Sequence, residues 1–414
     1  MTERGVGRPG GRGRQAAGAA IAVVAAVVLS ACGAPGSSSS ASSDPITPKK
    51  PAKPISLTVL DGGGDLTGGG RAAIDAFVKA NPDLVSEVTY QTAAATDVAG
   101  KVKAQQNGGS VDISLLLGGP DVLGAAQQQK LLMRQLPAQS ASLPDLSTIQ
   151  DAPRADFQKS SDGYGLLINY DQNGPFVDYQ PSAVPAAEAP NTPAALLAWA
   201  KAHKGKFSYA QPASSGSGRA FIQALPYMLG DSDPADPVKG WSKTWAYLRE
   251  LGKYVNSYPA SSSLLAQQFG ANQLDVIPTI ISHDVANRKS STWPANTGIT
   301  LFKNQNWIND GHFAMIPQGV SASTLYVDLK LEWYLVQPQA QRQRLTTGVL
   351  TTANKDVTAE NSGSDVTRFM RQWGRPDFFA TALKKGSVRR PLTPANMQQA
   401  FDLWQRNIGS KVGG

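Results

Sequence analysis

The sequence has one cysteine in 414 residues, Cys32, and three histidines, His203, His283 and His312. A single cysteine excludes an intramolecular disulfide, so the core alone must hold the fold together. There is no His-Glu-x-x-His helix and no Gly-x-Ser-x-Gly elbow, so neither a metalloprotease nor an α/β-hydrolase pattern is present. Clusters with metal-ligand spacing are missing too, so neither a metal nor a cofactor is expected. Basic residues do not cluster with aromatics, which argues against nucleic acid as a partner. Long apolar runs are scarce. The longest, Ala16 to Leu29, falls short of the ~20 residues of a comfortable membrane span.

That run follows Arg4, Arg8, Arg12 and Arg14 and ends in Leu29-Ser30-Ala31-Cys32. A basic start, a short apolar stretch and small residues before the cysteine form an export signal. The tetrapeptide resembles the bacterial lipoprotein signal, in which the cysteine is lipidated and becomes the first mature residue. The expectation is a signal peptide over 1–31, a lipid on Cys32, and a body tethered to the extracytoplasmic face of the cell membrane. The leader's four Arg and Glu3 carry +3 of the +8 total, leaving a mildly basic +5. Residues 32–54 are rich in Ser and Pro, a composition that cannot bury apolar surface and that predicts a disordered or extended linker.

The fold is expected to begin at Ile55. Ile55 to Leu60, Val88 to Gln91 and Val111 to Leu117 read as strands, with helices over Gly70 to Ala80 and Asp97 to Gln106 between them. Strands that are apolar on both faces and alternate with helices predict a parallel α/β sheet covered on both sides. The rhythm returns later. Thr192 caps a helix through Ala202, with Pro193 at its first position. Lys206 to Ala210 reads as a short strand, and a helix follows from Arg219. Trp241, Trp245, Leu248 and Leu251 mark a long amphipathic helix, and Leu274 to Ile281 reads as a buried strand. Asp112 and Asp121 are nine residues apart around one strand, and Asp275 and Asp284 repeat that spacing around another. About 360 residues in two similar halves predict two lobes whose equivalent loops face one cleft.

Gly62-Gly63-Gly64-Asp65, Gly108-Gly109-Ser110-Val111-Asp112, Asn191-Thr192-Pro193-Ala194-Ala195-Leu196-Leu197, Gly311-His312-Phe313-Ala314-Met315-Ile316-Pro317 and Gln337-Pro338-Gln339-Ala340-Gln341 occur in that order. Together they resemble the extracytoplasmic solute-binding proteins of ABC importers, on the branch of the thiamine-, polyamine- and iron-binding proteins. The likeness covers most of 55–345. It implies a two-lobed, type II periplasmic-binding-protein fold, with lobe 1 over 55–167 plus 312–345 and lobe 2 over 168–311 plus 346–414. It also implies a monomer that captures a small polar solute and hands it to a permease and ATPase. A lipid-anchored ligand sensor is the alternative, with a surface hydrolase behind it, since Asp65, Asp121 and Asp284 would suit a glycosidase if they converged.

In open α/β sheets, ligands sit beyond the carboxyl ends of the strands. That rule selects four loops. The first holds Asp61, Gly63, Gly64 and Asp65, where glycines let backbone amides approach a ligand. The second holds Gly118, Gly119 and Asp121, with helix capping as the competing role for Asp121. The third is Ser214, Ser215, Ser217, Gly218 and Arg219, a hydroxyl-rich helix start with a basic side chain, and its position matches the family's cleft loop. The fourth is Ser282, His283 and Asp284, where a structural role for His283 is favoured. Tyr164 stands near the expected first crossing between lobes and offers stacking or a hydrogen bond. Trp293 and Trp307, in irregular polar sequence, are the only tryptophans considered for the cleft. The acidic loops point to a cationic group on the solute, with an anion as the runner-up.

Overall fold

A computed structural model describes residues 46–411. The leader and Cys32 lie outside the described residues. Residues 46–54 carry no regular element until β1 begins. They lie against the body, with the Lys49 amide donating to the Ala322 carbonyl and Gln139 donating to that of Ile46.

The described residues hold nine strands: β1 (Ile55–Asp61), β2 (Val85–Thr92), β3 (Leu115–Gly118), β4 (Leu166–Gly174), β5 (Phe176–Tyr179), β6 (Val276–Thr279), β7 (Gly298–Thr300), β8 (Asn306–Met315) and β9 (Ser387–Arg389). The larger sheet runs β2-β1-β3-β8-β4, with β9 also paired to β8. β1 is parallel to β2 and β3, while β8 is antiparallel to β3 and β4. The smaller sheet is β6-β5-β7, antiparallel throughout. All four β3 residues are buried, as a strand sandwiched between helix layers requires. The strand expected from Val111 begins only at Leu115, because the Gln105 side chain accepts from the Asp112 and Ile113 amides and holds them off the ladder. Lys206 to Ala210 likewise yields a single bridge, Phe207 to Val276. There the chain turns Tyr209 into an aromatic cluster with Phe221, Tyr258 and Trp404.

Two main cores result. One draws on Leu57 through Tyr170 and on Phe313 through Ala353. The other draws on Val177 through Phe302 and on Leu392 through Ile408. Residues 171–176 and 303–312 run between them. β4 leaves the larger sheet at Gly174 and enters the smaller one as β5 two residues later, and β8 makes the return. The two-lobed α/β plan is the one expected, but the sheets are not parallel throughout: the returning strand β8 runs antiparallel in the larger sheet, and the smaller sheet is antiparallel. Among the described residues, no helix is long and apolar enough to cross a membrane.

Candidate functional site

The crossing strands floor a cavity of about 610 Å³. Asn169, Asp171 and Asn173 line it from β4, at the two-residue period that puts side chains on one face of a strand. Asp310 and His312 line it from β8. Five helices begin at its walls: Ala95–Asn107, Pro120–Gln128, Gly216–Leu229, Ser262–Gly270 and Ile281–Lys289. The last three open in hydroxyl-rich sequence, at Ser214 and Ser215, Ser261 to Ser263, and Ser282. Helix N-termini present unpaired N–H groups and the positive end of the dipole, so this wall is rich in donors. Ser215 caps its helix by accepting from the Gly218 amide, and its hydroxyl also meets those of Ser217 and Ser262.

Two ion-pair groups stand against the floor. In the first, Asp65 is fully buried and bonds His312 Nδ1 at 2.6 Å and Arg344 Nη2 at 2.8 Å. Burial alone would raise the Asp65 pKa, but His312 and Arg344 outweigh it and hold the carboxyl well below the usual carboxylate range. Burial pushes the His312 imidazole down, yet the Asp65 carboxylate prevails and raises it to about 9. In the second, Arg219 bonds Asp121 at 2.7 Å and Asp310 at 2.9 Å. Arg219 rises from a helix of the second core and Asp121 from a helix of the first, so this ion pair crosses the cleft. Burial opposes the Arg219 charge, but the two carboxylates outweigh it and raise its pKa. His283 bears no such partner. Burial lowers its pKa to about 4, leaving a neutral ring in the wall at pH 7.

Gly63, Gly64, Asp65, Asp121, Ser214, Ser215, Arg219, Ser282 and His283 line the cavity. The other candidate residues do structural work beside it or away from it. Asp61 folds back on its own loop and accepts from the Gly63, Gly64 and Leu66 amides. Burial, then the nearby Asp65, raises its pKa. Gly118 packs on Val122, and Gly119 backs the Arg219 guanidinium, where a Cβ would come within 3.2 Å. Gly218 lets its helix seat on Ala210, whose carbonyl a Cβ would meet at 2.0 Å. Ser217 is buried within the helix start. Tyr164 packs against the first core. Asp284 is turned away, clamped by Arg288 and Arg375 with four hydrogen bonds of 2.6–2.9 Å. Trp293 and Trp307 are core residues, buried with Phe269 and Phe176 respectively. Every carboxylate that suggested a cationic solute is therefore committed to a cation or to its own loop, which removes the reason for that preference. Asp284 is therefore out of reach of Asp65 and Asp121, and these two are each held in an ion pair, so the three carboxylates do not meet as expected for a glycosidase.

The floor residues are not among those that the four loops select. Asn169 and Asp171 alternate with Ile168 and Tyr170, and polar residues at period two where an apolar strand turns polar are a legible sign of one wetted face. His312 lies in the Gly311–Pro317 segment, where nothing local gives it a role. Nothing local marks Arg344, whose partner Asp65 lies 279 residues away.

Comparison with known proteins agrees with this architecture. A family model described as bacterial extracellular solute-binding protein matches residues 72–370. Among solved structures, an ABC transporter protein from Clostridium perfringens superposes with a TM-score of 0.60 at 14% identity, covering 86% of this chain and 100% of that one. A substrate-binding protein of an ABC transporter from Agrobacterium tumefaciens gives 0.60 at 14% identity, covering 88% and 100%. A spermidine/putrescine ABC transporter substrate-binding protein from Streptococcus pneumoniae gives 0.58 at 13% identity, covering 85% and 98%. No curated protein matches the chain.

Proposed function

The chain belongs to the bacterial extracellular solute-binding protein family, and from that premise we propose that it captures a small polar solute in the β4/β8 cleft and delivers it to the permease and ATPase of an ABC importer. The observation that carries the reading is the cleft's composition. The two crossing strands floor it, helix N-termini and serine hydroxyls wall it, and its strongest charges are already paired. Such a site is built to hold a ligand in place. Turnover needs an activated acid, base or nucleophile, and His312 is committed to Asp65 rather than to a hydroxyl. We therefore propose no catalysis.

The protein works as a monomer tethered through lipidated Cys32, with the Ser/Pro linker lifting the body off the membrane. The two lobes, 55–167 plus 312–345 and 168–311 plus 346–414, close on the solute about the two crossings. Small-angle scattering with and without a solute that raises the melting temperature tests this, and compaction on binding is the expected result. A ligand at 100 times its dissociation constant should stabilise the fold by about 2.7 kcal/mol. Mass spectrometry of the membrane fraction should find a diacylglyceryl-modified Cys32 at the N-terminus. A rigid particle, or a mature chain beginning elsewhere and free of the membrane, defeats the respective claim.

A further inference from the structure

We infer that Asp328 and Glu332 are held as neutral acids inside the first core, two protons that the fold takes up, and that they suit this extracytoplasmic solute-binding protein to mildly acidic surroundings. The two residues stand one turn apart on the helix Ala322–Leu335, the spacing that puts side chains on one face. Both are fully buried, and Val327, Leu329, Leu331 and Leu335 of the same helix belong to the core around them. Among the described residues, neither oxygen of Asp328 has a hydrogen-bond partner, and Glu332 Oε2 has none either. Gln135, also fully buried, reaches the pair from the other side. Its Nε2 donates to Glu332 Oε1 at 3.1 Å and to the Ala314 carbonyl of β8 at 3.2 Å, while its Oε1 is left without a donor. Four buried acceptors in one place therefore lack donors.

The surrounding elements bring no cation to the pair. Ala322–Leu335 packs against Arg71–Ala80, β1, β4 and Pro338–Leu345. On these, Arg71 pairs with Asp75 at the surface, Lys79 and Arg342 are exposed, and Arg344 is bonded to Asp65. Asp61 serves its own loop, the Tyr170 hydroxyl accepts from Asn309, and Asp171 accepts from the Thr351 hydroxyl. On β8, Asp310 and His312 are bonded in the cleft. On the helix itself, Lys330 is exposed beside the Tyr326 ring, and Tyr334 packs on Phe77. A carboxylate buried without a cation gives up its charge by taking a proton. Burial, then the neighbouring Glu332, raises the Asp328 pKa well above the ordinary carboxylate value. Burial does the same to Glu332, against the bond from Gln135. A protonated carboxyl is also a donor, so two protons supply two of the donors that the four acceptors lack. An acid whose folded pKa is raised gives stability that is fully present below its unfolded value of about 4 and is lost as pH rises toward the folded one. Between those limits each such proton multiplies the unfolding constant by about ten per pH unit.

Chemical denaturation of the mature protein from about pH 5.5 to 8.5 tests this, with Asp328→Asn, Glu332→Gln and the double variant. An amide keeps the shape of the neutral acid and cannot ionise. Each single variant should lose about one proton from the wild-type slope, a factor of about ten per pH unit in the unfolding constant, and the double variant about two. Asp178, a buried acid of the smaller sheet whose oxygens have no partner, and His312 are common to all four proteins, so the differences belong to the pair. Infrared spectra at neutral pH should show the carbonyl band of protonated carboxyls, weaker in each variant. Slopes and spectra that match wild type overturn the inference. Wild-type spectra without that band overturn it too, whether or not the variants fold. A wild type that is stabilised at fixed pH by sodium or calcium, with the response lost in both single variants, overturns it in favour of a cation held by ionised carboxylates.

Discussion

Residues 95–128 and 262–289 repeat one plan, helix, turn, buried strand and helix, and each carries an aspartate in the first turn of its second helix. Asp121 and Asp284 even follow Asp112 and Asp275 by the same nine residues. Yet Asp121 faces the cleft and Arg219, whereas Asp284 is buried behind it between Arg288 and Arg375. The difference lies in phase. β3 starts three residues after Asp112, but β6 starts directly after Asp275. Asp121 is therefore two residues past its N-cap Gly119, and Asp284 four past its N-cap Ile280. Two residues are roughly 200° around a helix, enough to turn one carboxylate toward solute and the other into the body. A matched spacing in sequence thus identifies equivalent elements without identifying equivalent side chains.

The largest test of this contrast is at Asp284. Asn in its place keeps the shape and removes the charge, leaving two arginines without their shared anion. Breaking a buried pair this way should cost about 3–5 kcal/mol, read by chemical denaturation, while solute affinity in the folded protein stays within a factor of about two. A stable variant, or one whose affinity falls with its stability intact, would place Asp284 in the site after all. Asp121→Asn should do the opposite on both counts. Arg219 keeps Asp310, so the stability loss should be smaller, about 1.5–3 kcal/mol. Loss of the bond across the cleft should loosen the unliganded lobes, enlarge the radius of gyration and weaken solute binding about tenfold. Unchanged scattering and affinity would make the two aspartates equally remote from function.

Much of the architecture was legible because it rests on local pattern. The helix from Pro193 to Ala202 is capped by the Thr192 hydroxyl, which accepts from the Ala195 amide, as its sequence implies. β1 and the helix after it stand within a residue of their predicted bounds. What could not be read is pairing. Asp61 and Asp65 look alike in a glycine-rich loop. One caps its own turn, and the other meets groups 247 and 279 residues away. Four carboxylates counted from sequence suggest an acidic cleft, yet three have cations opposite them and the fourth has backbone amides. Electrostatic character belongs to the assembled site, and no single loop carries it.

The smallest and sharpest test contrasts the two ion-pair groups through pH. The Arg219 group holds no histidine, and Arg219 stays charged throughout the accessible range. The Asp65 group includes His312, whose folded pKa of about 9 lies above the ordinary histidine value near 6.5. A raised folded pKa gives stability that is fully present below about 6.5 and is lost as pH rises through about 9. The ring keeps some solvent contact, so the amount is on the order of 1 kcal/mol. Asp65 adds nothing to this window, because its pKa is depressed and its contribution fades only under strongly acid conditions. Wild-type protein should therefore lose more stability than His312→Gln between about pH 6.5 and 9, and Arg219→Met should keep the wild-type slope at a lower overall level. A His312→Gln profile parallel to wild type would mean that His312 carries no charge in the folded protein and that its bond to Asp65 is one between a neutral ring and a carboxylate.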